Sequence, residues 1–112
     1  MAKKLGLIPG TLDMLILKTL TRAPLYGYGI ALSIKRLSDD VLTVEEGSLY
    51  PALRRLLLQG CVKEAWTTTD TDRRARSYSL TAAGRERLKL EVSQFDQVTD
   101  AIGRILSDAK SR

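Results

Sequence analysis

Thr43-Val44-Glu45-Glu46-Gly47-Ser48-Leu49-Tyr50-Pro51-Ala52-Leu53-Arg54-Arg55-Leu56-Leu57-Leu58-Gln59-Gly60 is the stretch on which the fold turns. Thr43 with Glu46 three residues on has the form of a capping box, which predicts a helix start at that point. Leu49, Ala52, Leu53, Leu56 and Leu57 fall on one side at helical spacing, and Gly60 supplies the left-handed residue that ends a helix. Pro51 interrupts the pattern. Inside a helix it deletes one backbone hydrogen bond and bends the axis. The alternative is a helix that begins only at Pro51, as a first-turn residue; the bent helix is the reading adopted. At about 100° per residue, Gly47, Pro51, Arg54 and Leu58 lie opposite the leucines, flanked by Ser48, Arg55 and Tyr50. A helix that buries its leucines therefore presents small, hydroxyl and arginine groups outward.

Working outward, the period changes after Gly60. Residues 62, 64, 66 and 68 alternate with 61, 63, 65 and 67, which predicts a strand. Thr69-Asp70-Thr71-Asp72 is a polar turn, and Arg74, Arg76, Tyr78 and Leu80 alternate with Ala75, Ser77 and Ser79 as the returning strand. The expected element is a two-stranded hairpin with an arginine-rich arm. Upstream, Thr11 is placed to cap a helix through Leu12, Leu15, Ile16 and Leu20, with Asp13 suited to its dipole. Ala23-Pro24 stops that helix. A second pattern from Tyr26-Gly27-Tyr28 carries Ile30, Ala31, Ile34 and Leu37 on one face and ends at Ser38-Asp39-Asp40. Downstream, Thr81 caps a long last helix whose Leu88, Phe95, Val98, Ile102 and Ile105 form a heptad-like seam, with Val92 and Leu106 beside it.

The fold class that emerges is mainly α with a small β-hairpin, a winged helix-turn-helix followed by a long C-terminal dimerisation helix. Residues 1–80 are the expected DNA-binding domain, and residues 81–112 the dimerisation helix of the same structural unit. The last helix has a stripe with no remaining element to cover it, so a second copy is its expected partner. A symmetric dimer would space two recognition helices about one turn of DNA apart.

Composition narrows the function. The chain has 112 residues, 44% hydrophobic and 28% charged, an ordinary globular balance for one domain. No apolar run approaches the roughly 18 residues that cross a bilayer. The basic start, Met1-Ala2-Lys3-Lys4-Leu5, is followed by an apolar stretch broken at Pro9, Gly10, Asp13 and Lys18, so it does not read as a secretory signal and the expected location is cytoplasmic. Histidine is absent, which removes the commonest general base and every Ser-His-Asp or Cys-His arrangement. The one cysteine, Cys61, excludes an internal disulfide and a cysteine-rich zinc site, and reads as a small core residue. Gly27 and Gly29 are too few for a phosphate-cradling loop. The expectation is no catalysis, no metal and no cofactor.

A net charge of +5 favours an acidic partner. Arginines cluster at 54–55 and at 73, 74 and 76, whereas residues 39–46 are acidic. For an isolated helix, two outward arginines mean only a solvated face. In the third position of helix-helix-helix-wing, the same residues suit a major groove, where arginine grips guanine through two hydrogen bonds. Charges also blunt hairpin edges; the functional reading is a wing that lays Arg73 and Arg74 along phosphates or into the minor groove, with Arg76 a strand-face charge. Trp66, Tyr78 and Tyr28 read as packing residues rather than stacking platforms.

Three segments in order are also recognisable: Leu25-Tyr26-Gly27-Tyr28-Gly29-Ile30, Gly47-Ser48-Leu49-Tyr50-Pro51-Ala52-Leu53-Arg54-Arg55-Leu56, and Arg73-Arg74 leading to Tyr78-Ser79-Leu80-Thr81-Ala82-Ala83-Gly84-Arg85. Together, over roughly residues 7 to 90, they resemble the PadR family of transcriptional regulators. The resemblance implies a dimeric winged-helix repressor that binds a palindromic operator in double-stranded DNA. Ser48, Tyr50, Pro51, Arg54 and Arg55 match the family's recognition-helix segment, and Arg73 and Arg74 its wing. Leu88, Val92, Phe95, Val98, Ile102 and Ile105 would form the dimer seam. The single last helix is similar to the smaller branch of the family, some members of which hold flat aromatic drugs between tryptophans at the dimer centre. This last helix has no tryptophan, only Phe95. Leu57 and Leu58 depart from the polar residues usual at that point. A winged-helix module that binds protein, and a sensor of an unidentified small-molecule effector centred on Phe95, are the competing readings.

Overall fold

The computed structural model describes residues 6–7 and 10–108; the N-terminal residues read above for a signal, 1–5 and Pro9, lie outside them. Four helices and a three-stranded antiparallel sheet follow in the order α1 (Leu12–Thr19), β1 (Leu25–Tyr26), α2 (Gly27–Leu37), α3 (Glu46–Leu58), β2 (Val62–Thr68), β3 (Arg74–Leu80) and α4 (Ala82–Leu106). This is the winged-helix arrangement expected from the sequence, mainly α with a hairpin wing.

The core draws on every helix. Met14, Ile16, Leu17 and Leu20 come from α1 and its end, a wider face than the four-residue stripe in the sequence suggests, with Leu12 and Leu15 only partly buried. Helix α2 adds Ile30 and Ile34, while Leu37, on the predicted apolar face, is 72% exposed because the core ends a turn before it. Helix α3 contributes Leu49, Ala52, Leu53 and Leu56, and the sheet Val62 and Tyr78. Cys61 is buried and free, filling the core as expected.

Local chemistry sets the boundaries, with one correction. Helix α3 does not start at a Thr43 cap: Glu45 is the N-cap and the helix begins at Glu46. The segment before it stays extended because Leu42 and Val44 pack against the core, and that packing outweighs a local capping pattern. Nor does the helix wait for Pro51, which lies inside it. At the other end Gly60 takes φ +74°, the Cys61 N–H donates to the Leu56 carbonyl at 2.9 Å and the Gly60 N–H to the Leu57 carbonyl at 3.1 Å, the paired bonds of a Schellman stop. Helix α2 ends at a turn in which Asp39 and Asp40 both adopt positive φ.

Strands β2 and β3 run as predicted, paired from Val62↔Leu80 to Thr68↔Arg74. The sheet is not a two-stranded hairpin, however. Leu25 and Tyr26, the second of which the sequence placed at the head of the second helix, form β1 and pair with Tyr78 and Ser77 on the free edge of β3. Two residues carry no periodicity of their own; the exposed edge of β3 recruits them.

Helix α4 is capped as expected, with the Gly84 N–H donating to the Thr81 hydroxyl at 3.0 Å. Its first turns are docked: Gly84 is buried, and a Cβ there would stand 2.1 Å from the Cys61 carbonyl oxygen. Leu88 is the last buried residue among those described. The remaining turns project, and the radius of gyration, 16.3 Å, exceeds the roughly 13 Å of a spherical domain this long.

Candidate nucleic-acid interface

Helix α3 presents the face drawn from its sequence. With Leu49, Ala52, Leu53 and Leu56 turned into the core, Gly47, Ser48, Tyr50, Pro51, Arg54, Arg55 and Leu58 are all exposed. The N-terminal half of this face is slim, and the arginines follow one turn later.

The wing stands beside it. Thr69 closes the hairpin tip, its N–H donating to the Arg73 carbonyl at 2.8 Å while its hydroxyl accepts the Arg73 N–H at 3.2 Å. Asp72 adopts φ +62° to complete the turn. Arg73 and Arg74 are thereby held at the outer end of the hairpin, both exposed. Tyr50 of α3 meets the base of the wing: together with Gly27, Tyr28, Trp66, Arg76 and Tyr78 it lines an open concavity of about 410 Å³. Gly27 lets the Tyr50 ring approach closely: a Cβ there would come within 2.7 Å of the Tyr50 hydroxyl, so the ring would have to shift.

The arginines differ in what holds them. Arg54 has no ion-pair partner among the described residues. Arg55 does: its Nη2 donates to Asp13 Oδ1 at 2.9 Å. Asp13 also accepts from Arg87 of α4 at 3.4 Å, and Arg87 in turn holds Glu91 at 2.6 Å and the Gln59 side-chain carbonyl. One carboxylate on α1 thus links the helix that faces outward with the helix that projects. From its position in the chain, Asp13 reads only as a charge suited to the helix dipole. On the wing, Arg76 pairs with Glu64 at 3.3 Å, and that hydrogen bond raises its pKa above the ordinary arginine value.

Of the three aromatics read as packing residues, only Tyr78 is buried, and burial raises its phenol pKa. Trp66 and Tyr28 are exposed. Trp66 carries the guanidinium of Arg74 at 4.8 Å and that of Arg76 at 5.3 Å from its ring centre. Its alternation on β2 was legible; its exposure was not, because the core on this strand ends at Val62, four residues earlier.

The seam residues separate along α4. Leu88 is buried, whereas Val92, Phe95, Val98, Ile102 and Ile105 are exposed. Phe95 lines an open groove of about 810 Å³ with Met14, Leu15, Lys18, Leu88 and Val92. Among the described residues no helix is long and apolar enough to cross a membrane, and no cluster of three His, Cys, Asp or Glu side chains is placed to hold a metal ion.

Residues 16–90 match the family described as Transcriptional regulator PadR-like family. A transcriptional regulator of Clostridium thermocellum superposes with a TM-score of 0.78 at 27% identity, covering 85% of this chain and 92% of that one. A PadR family transcriptional regulator of Eggerthella lenta gives 0.75 at 32% identity, covering 88% and 84%. A 37.1 kDa protein in transposon TN4556 of Streptomyces fradiae is 35% identical over 97 residues; these are 87% of this chain but 26% of that protein, so the chain spans about a quarter of it. With the family match covering well over half its length, on a winged-helix fold, this chain belongs to the PadR-like family of transcriptional regulators, which are DNA-binding proteins and not enzymes.

Proposed function

We propose that the chain is a dimeric repressor that acts in the cytoplasm by occupying a palindromic operator. Ser48, Tyr50, Pro51, Arg54 and Arg55 form the surface entering the major groove, and Arg73 and Arg74 hold the flanking backbone or minor groove. Residues 1–80 carry the DNA contacts. Residues 81–112 pair two chains through Leu88, Val92, Phe95, Val98, Ile102 and Ile105, and an effector relieves repression. The observation that carries this reading is the division of α3: its apolar side is consumed by the core, leaving a slim polar and basic face beside an arginine-tipped wing. Arg54 is the leading base-reading residue, because Arg55 shares its charge with Asp13.

Fluorescence anisotropy tests it, with duplex DNA from upstream of the protein's own gene beside a scrambled duplex, across a salt series. A preference of at least about a thousandfold that persists near physiological salt supports operator recognition. Equal, weak and steeply salt-dependent binding to both reduces the interface to a basic surface meeting phosphates. No binding to either favours a protein partner for the same face.

A further inference from the structure

On the core-facing side of the wing, Val62, Tyr78 and Leu80 are packed into the domain. Further out on the same side, the core has ended. There Trp66 sits opposite Arg76 in the strand register, with Arg74 on the diagonal. Trp66 is 56% exposed, and two guanidiniums lie over its ring: Arg74 at 4.8 Å and Arg76 at 5.3 Å from the ring centre. A guanidinium stacked on a ring uses its face and leaves its in-plane N–H groups free to grip an anion. Arg76 spends one of those groups on Glu64. Arg74 makes no ion pair among the described residues.

We propose that Trp66 is a positioning residue of the wing: its ring holds Arg74 face-on, with the guanidinium edge presented to a DNA backbone phosphate, while Arg76, fixed by Glu64, braces the ring. This rests on the DNA-binding reading above. A free arginine loses rotamer freedom when it grips a phosphate, and one already stacked on an indole loses less. The ring therefore contributes to affinity without touching DNA. The two arginines also divide the work, one delivering charge and the other anchoring the platform.

The test uses the full chain and a mixed-sequence DNA duplex at low salt. Wild type, Trp66→Leu, Trp66→Phe, Arg74→Ala and the Trp66→Leu/Arg74→Ala double variant are compared by anisotropy. Trp66→Leu should weaken binding about two- to fivefold, the scale of an exposed cation–π contact. Trp66→Phe, which keeps a ring, should recover most of that loss. In the Arg74→Ala background Trp66→Leu should cost nothing further. Trp66 is the chain's one tryptophan, so acrylamide quenching reads the stack directly in free protein, and Arg74→Ala should raise its accessibility. Wild-type affinity in Trp66→Leu, a loss undiminished in the Arg74→Ala background, or quenching indifferent to Arg74→Ala would each overturn the proposal. Those results leave DNA binding intact; a wild-type protein that ignores the duplex removes the DNA reading and this inference with it.

Discussion

Helices α3 and α4 are both amphipathic, yet they use their apolar sides in opposite ways. In α3, Leu49, Ala52, Leu53 and Leu56 are each at most 1% exposed, so the hydrophobic gain is fully collected within the chain. In α4 beyond Leu88, Phe95 is 36% and Ile105 69% exposed, and much of that gain is left uncollected. Burying such a side chain is worth about 1.5–3 kcal/mol. The contrast teaches where each helix's chemistry lies. What α3 has left to offer is its polar side, held in a fixed orientation by the core. What α4 has left to offer is its apolar side, which only another surface can complete.

Four experiments break or sharpen that contrast. The largest effect is expected from Phe95→Asp combined with Ile102→Asp, which in a symmetric pair removes four apolar anchors. Sedimentation velocity at micromolar concentration should show the wild type as a dimer and the variant as a helical monomer. Identical sedimentation would mean that the α4 stripe is not the pairing surface. Next, Leu53→Ala leaves a cavity behind α3 and should lower unfolding free energy by about 2–5 kcal/mol in urea titration; an unchanged midpoint would contradict a tightly packed inner face. Arg54→Ala should weaken operator binding by about 1–3 kcal/mol, and Arg55→Ala by less, because Asp13 already engages Arg55. An Arg55→Ala loss as large as that of Arg54→Ala would show that the ion pair opens on DNA. Smallest, Thr81→Ala removes the α4 cap and should cost about 1 kcal/mol of stability, read as a lower thermal midpoint.

Most of this architecture was legible in the sequence because local signals and packing agree. The alternation on either side of Thr69-Asp70-Thr71-Asp72 predicted β3 to the residue and β2 to within one, Cys61 lying just outside it, and Gly60 and Thr81 marked a helix stop and a helix start. The failures share a cause: a tertiary surface overruled a local pattern. Thr43 and Glu46 satisfy a capping motif, but Leu42 and Val44 are drawn to the core first. Leu25 and Tyr26 are too short a run to declare a strand, and become one because β3 has an open edge. In the candidate interface, the outward side of α3 followed from helical spacing alone. The link from Asp13 to Arg55 and Arg87 spans three helices and leaves no trace in spacing. Trp66 alternates like a core residue, and only the extent of the core reveals that it stands outside.

The junction between α3 and α4 has a consequence for operators. The Thr81 hydroxyl donates to the Gly60 carbonyl at 2.6 Å and the Thr81 N–H to the Cys61 carbonyl at 3.1 Å, so the wing leaves and returns at one point. With Gly84 packed against that same carbonyl, the start of α4 is held closely against the end of α3. In a pair joined through α4, the distance between the two α3 helices is then a built-in length. Adding one base pair between half-sites shifts them by about 3.4 Å and turns them by roughly 35°, a change that these contacts would resist. If the proposed pair forms, such a regulator would select its targets by spacing as well as by letters, and a correct pair of half-sites set one step too far apart would go unread.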